Sequence, residues 1–136
     1  MRKVTLLLLL LTAVFVFGCK GEKIASEDNQ TLLNGNWVID YGCQQDPTPN
    51  PVAWLIINNN TVISCMQTTQ GAVKGLIVKM SEGNYRFDWP AGPPSTANYP
   101  VTQWNLLGVN SPGGTGPNCY SRVRNPANNP PAYCGG

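Results

Sequence analysis

The sequence predicts an all-β fold: a small antiparallel barrel or sandwich of about six to eight strands, stapled by disulfides and joined by long Pro/Gly loops. Three observations point there. Short runs alternate apolar and polar residues, most cleanly at Tyr85-Arg86-Phe87-Asp88-Trp89. Turn formers separate these runs, with 14 Gly and 12 Pro in 136 residues. No amphipathic helix of useful length is legible beyond residue 32, while four Trp supply core mass that a disordered chain lacks.

The amino-terminal segment has a different character. Arg2 and Lys3 precede an apolar run from Val4 to Phe17. At about 1.5 Å per residue this run covers roughly 21 Å of helix. That is short for a bilayer core of about 30 Å, but it suits the apolar region of a signal peptide. A small residue, Gly18, and then Cys19 follow. Val16-Phe17-Gly18-Cys19 resembles the lipobox of bacterial lipoproteins. The resemblance implies that residues 1–18 are removed and that Cys19, now the first residue, is diacylated, with palmitate as the lipid. It also implies a membrane anchor in the cell envelope. Lys20 stands where Asp marks inner-membrane retention in the enterobacterial type, which implies the outer membrane. Each buried CH₂ contributes about 0.8 kcal/mol, so paired chains attach firmly. Residues 19–32 then read as the lipidated Cys and a polar, flexible tether, and residues 33–136 as a single β domain.

Removing the leader changes the charge. The formal net charge is +2, and Arg2 and Lys3 account for all of it. The mature chain is neutral and has no basic stripe, so the counterion-release drive for nucleic-acid binding is missing. The leader also changes the cysteine arithmetic. Five Cys are present; with Cys19 given to lipid, Cys43, Cys65, Cys119 and Cys134 remain. An oxidising compartment makes two disulfides the expectation. Three pairings stay open, and short loop closure favours Cys43–Cys65 with Cys119–Cys134. A zinc site is disfavoured, since the chain has no CxxC pair and no His.

Within the domain, Gly35 to Tyr41 alternates as a strand. Residues 42–51 carry three prolines, which cannot donate to a sheet interior. Ala53–Ile57 and Thr61–Met66 form a hairpin about Asn58-Asn59-Asn60, because Asn tolerates positive φ. Ala72–Met80 is a further strand, with Leu76, Val78 and Met80 on one face. Tyr85–Trp89 follows, then a Pro/Gly loop over 90–100, a strand over Thr102–Val109, and a glycine-rich loop over 110–118. Cys119–Arg124 is a last short strand. Residues 125–136 read as coil held by Cys134.

Gly35-Asn36-Trp37 resembles the Gly-x-Trp that opens the first strand of lipocalin-like domains. That resemblance implies an up-and-down barrel around an apolar pocket, with Trp37 closing its base. Trp37, Trp54, Trp89 and Trp104 are the aromatics able to face a ligand, although large aromatics in small β domains more often fill cores. Catalysis is hard to assemble. Without His there is no Ser-His or Cys-His pair. Asp40, Asp46, Glu82 and Asp88 read as solvated charges, and no calcium loop or phosphate loop occurs. The expectation is therefore a non-enzymatic binding or interaction module of the envelope, with no cofactor, metal or catalytic residue. Its membrane partner would be reached through Cys19. Its other partner would be either a protein, met by loops 44–51, 90–100 and 110–118, or a small apolar ligand carried in a lipocalin-like pocket. Inhibition of an envelope enzyme by a rigid loop is a further alternative.

Overall fold

The computed structural model describes residues 29–45, 47, 49–100 and 105–135. The leader, Cys19 and the tether as far as Asp28 lie outside the described residues, as do Asp46 and Trp104. Among the described residues, eight antiparallel strands close into one barrel in sequence order. They are β1 (Gly35–Ile39), β2 (Ala53–Asn58), β3 (Thr61–Met66), β4 (Gly71–Ser81), β5 (Asn84–Asp88), β6 (Ser95–Asn98), β7 (Leu106–Asn110) and β8 (Asn118–Arg122). A one-turn helix, α1 (Asn29–Leu32), precedes them. The expected β class is thus a barrel and not a sandwich.

Register decides which side chains fill the interior, because a strand alternates faces with period two. Trp37 and Ile39 point inward from β1, Leu55 and Ile57 from β2, and Tyr85 and Phe87 from β5; all belong to one buried cluster. On β5, Arg86 and Asp88 point outward and form a bidentate pair at 2.7 and 2.9 Å. The Asn58–Thr61 turn forms as expected, with Asn59 at φ 52°. Its tip is tied to the barrel base, where Asn34 Oδ1 accepts from the Asn59 backbone N at 2.6 Å.

Three expectations are corrected. Residues 95–98, expected as loop, form β6. The strand was hidden because its inward residues are small: Ala97 sits opposite Tyr85, and Ser95 opposite Phe87. A barrel interior of limited width pairs large with small. Second, the apolar face of Leu76, Val78 and Met80 points away from the core, and Leu76 and Met80 are exposed. Gly75 and Ile77 face inward instead, fixed by the pairing of Val62 with Gly75 and of Ile77 with Phe87. Third, the disulfides are Cys43–Cys119 and Cys65–Cys134, not the short-loop pairs. Barrel closure sets β8 against β1, and the Asp40 backbone N donates to Cys119 O at 2.8 Å. Cys43 is thereby delivered to Cys119. Cys65 lies two strands away on the outer wall, beneath the carboxy-terminal tail.

That tail is held by more than Cys134. It carries two 3₁₀ turns, accepts a hydrogen bond from Trp54 Nε1 at Asn128 O (3.0 Å), and covers a second buried cluster of Val38, Trp54, Cys65 and Cys134 outside the barrel. The disulfides span 76 and 69 residues. In the loop-entropy account, closure of loops this long contributes about 4 kcal/mol each.

The barrel is sealed at the end where β1 begins. Trp37 is fully buried, and its Nε1 donates to Leu33 O at 2.8 Å. Arg122, opposite Trp37 in the closing register, lays its guanidinium 4.4 Å above the indole. It also donates to Asn34 O at 2.6 Å and to Leu32 O. Gly35 is required beneath it: the residue sits at φ +134°, and a Cβ there would meet Arg122 Nη1 at 2.8 Å. Tyr99 completes the seal edge-on to Trp37, with ring centroids 5.9 Å apart.

Arg122 therefore ties β8 to the strand it must pair with and to the chain entering that strand. Arg122→Ala removes two charge-assisted hydrogen bonds and a cation–π contact. The expected cost is about 3 kcal/mol, read as a lower urea midpoint without change in slope. A loss below about 1 kcal/mol would contradict this role.

Candidate functional site

Above the sealed base the interior opens. Leu33, Trp37, Val62, Phe87 and Leu107 are fully buried and fill the lower barrel. Toward the other end, three serines and an alanine stand among the larger inward side chains. The register stacks Leu55 beside Ser64, and Ser64 beside Val73. With Trp89, Ala91, Ser95, Val109, Ser111 and Tyr120 they line a cavity of about 300 Å³. Its rim is formed by the β5–β6 and β7–β8 loops, which contribute Ala91 and Ser111. These are two of the three loop regions singled out in the sequence. The third, the β1–β2 connection, runs instead outside the barrel. There Gln45, Pro47 and Pro49 face Arg122, Arg124, Asn125 and Asn128 across a surface cleft.

Of the three expected ligand-facing aromatics among the described residues, Trp89 lines this cup. Its stance is fixed on two sides. Its Nε1 donates to Ser95 Oγ at 3.0 Å, and its ring lies against Gly75, where a Cβ would come within 2.8 Å of Trp89 Cε3 and of the Asp88 carbonyl. Phe87 meets it edge-on at 6.1 Å. Trp37 lies in the base, and Trp54 faces outward beneath the tail. Trp104 lies outside the described residues.

Sequence reading missed Ser64 and Val73; Ser95 and Ser111 lay in loop regions it singled out without being named as ligand-facing, and Tyr120 was not among its four aromatics. Only alternation phase could have found them, and it becomes usable once β6 and the closing β1–β8 register are known. Tyr120 is inward because it pairs with Ile39 and with Leu107. Burial pushes its phenol up to about 12, with nearby Tyr41 adding to the effect.

The carboxylates lie elsewhere. Asp40 is buried on the outer side of the barrel. It accepts from Ser121 Oγ at 2.6 Å and from the Gly42 backbone N at 3.1 Å, which shapes the turn that presents Cys43. Asp88 is held below the usual carboxylate range by its hydrogen bonds from Arg86. Glu82 sits in the β4–β5 turn. Among the described residues no charged side chain lines the cup, and no group of three His, Cys, Asp or Glu is placed to hold a metal ion. Compared with protein-family models, curated proteins and solved structures, the chain finds no match.

Tyr120 makes the domain sensitive to alkali. An unfolded tyrosine releases its proton near 10, whereas the folded one holds it to about 12. Between those values the unfolded chain binds fewer protons, so stability falls as pH rises. At about pH 11 the expected loss from this group is roughly 1.4 kcal/mol. It appears as a fall in urea midpoint that Tyr120→Phe reduces; an unchanged slope in that variant would contradict the assignment.

Proposed function

We propose that this chain is a lipid-anchored, extracytoplasmic binding protein of the bacterial envelope, with a lipocalin-like barrel that takes a small molecule in its open cup. One observation carries the binding part: the interior is sealed at one end by Arg122 and Trp37 and opens at the other over a cavity of about 300 Å³. Cavities from about 300 Å³ upward are the ordinary size of small-molecule sites.

The lipocalin-like kinship is supported by the eight-stranded up-and-down order and by Gly35-Asn36-Trp37 opening the first strand. The position of Trp37 at the closed base adds to it. The address is supported by the lipobox-like Val16-Phe17-Gly18-Cys19 and by two disulfides that suit an oxidising compartment. Attachment through Cys19 would hold the barrel at a membrane surface while the chain between Cys19 and α1 sets its reach.

Two measurements test these readings separately. N-phenyl-1-naphthylamine, an uncharged apolar fluorophore, should bind with one-to-one saturation. Val73→Trp, which fills the cup from a partly exposed position, should weaken it at least about tenfold while leaving the circular dichroism unchanged. Binding untouched by Val73→Trp would refute the cup. For the anchor, wild-type protein from membranes should carry acyl mass on Cys19, and Cys19→Ala should leave the membrane fraction. A wild-type mature chain without acyl mass would end the lipoprotein reading.

A further inference from the structure

The cup's chemistry narrows what it can hold, given the binding reading above. Depth comes first. On β2, Leu55 lines the cup, whereas Ile57, two residues further toward the base, is buried and does not line it. Strand residues advance about 3.3 Å each, so the cup ends within a few residues of its rim. Trp37, Phe87 and Tyr99 close the path below. An extended acyl chain would leave most of its methylenes in water and gain little from the site.

Charge comes second. Among the described residues the lining holds no cation and no anion. Arg122, half-buried, lies in the base with its guanidinium committed to Leu32 O, Asn34 O and the Trp37 face. An ionised head entering the cup would lose part of its hydration and find no counterion there.

The third constraint is shape and polarity. Gly75 and Ser95 hold the Trp89 indole in one orientation, so it forms a preset flat wall. Rings stack on such a wall with little loss of conformational freedom. Ser64, Ser95, Ser111 and Tyr120 add hydroxyls at separate points around an otherwise apolar lining of Leu55, Val73 and Val109. Ser95 Oγ accepts from Trp89, which leaves its own proton for donation.

We propose that the cup selects an uncharged, compact, ring-bearing molecule with one or two polar substituents, and that it rejects both ring carboxylates and long-chain lipids. The recognition elements are the Trp89 face and the hydroxyls of Ser64, Ser95, Ser111 and Tyr120.

The test uses three compounds on the full domain at neutral pH, followed by titration calorimetry. These are 2-naphthol, 2-naphthoate and hexadecanoate. Naphthol should bind at one site, at least about 100-fold more tightly than naphthoate, while hexadecanoate should show no one-to-one binding. Val73→Trp and, independently, Ser111→Trp at the rim should each weaken naphthol at least about tenfold. Naphthoate binding as tightly as naphthol, or hexadecanoate binding more tightly, overturns the ligand class. If those ligands are still displaced by the two Trp variants, the cup itself survives. Failure of naphthol to bind at all, or binding that neither variant weakens, overturns both the class and the cup.

Discussion

Closure of the barrel depends on one cation packed against one indole. A meander of eight strands has two free edges, and unpaired edges are open to association with other chains. Pairing β1 with β8 removes both, but the two strands are separated by most of the domain, so closure carries the largest entropic cost of any pairing here. Arg122 concentrates its return at that seam. It lies over Trp37 in the β1–β8 register and binds the carbonyls of Leu32 and Asn34 just before β1 begins. The same contacts plug the base. Closure of the sheet and closure of the interior are therefore one event. The glycine at position 35 follows from it, since any side chain there would meet the guanidinium.

The disulfides act on the same seam from outside. Cys43–Cys119 joins the turn after β1 to β8, which is the pairing Arg122 secures from within. Cys65–Cys134 fastens the chain that leaves β8 across the outer wall, where Trp54 donates to Asn128. Neither bridge lines the cup. Stabilisation is thus placed at the base and on the outer surface. The upper interior mixes Leu55, Trp89 and Tyr120 with small side chains that leave a cavity between them. Ser64, Ser95 and Ser111 are poor choices for a core but suitable walls for a pocket.

What could be read from the sequence was local. Tyr85-Arg86-Phe87-Asp88-Trp89 announced its faces because its charges and aromatics alternate without exception, and Asn58-Asn59-Asn60 announced its turn. What could not be read was set by partners distant in sequence. Ser95 and Ala97 carry little strand preference of their own; their identity answers Phe87 and Tyr85 across the pairing. The inward face of β4 was hidden because both faces are apolar, and Gly75, the residue that decides, is inward only because Trp89 needs the space. The cysteine pairing followed closure of the barrel and not loop length. Arg122 gave no local signal, being one arginine in a short terminal strand. Of the candidate ligand-facing aromatics among the described residues, Trp89 lines the cup, while Trp37 and Trp54 lie elsewhere. The hydroxyl-bearing wall around it emerged only from the register.

The division of the interior also bears on why a shallow site suits this fold. A deep lipocalin-type pocket needs its aromatics at the rim or absent, leaving the base to be closed by few side chains. Here Trp37, Tyr85, Phe87 and Tyr99 occupy the base and middle together, all fully or nearly fully buried. In a domain this small, such rings supply much of the apolar area that must offset chain entropy. Deepening the cup would mean removing one of them, and each large-to-small change in a packed core costs about 3–5 kcal/mol, a large share of the total stability of a small domain. The barrel can hold either a long apolar chain or its own aromatic core, and the sequence has committed to the core. A compact ligand lying above Phe87 and against Trp89 is what that commitment leaves room for.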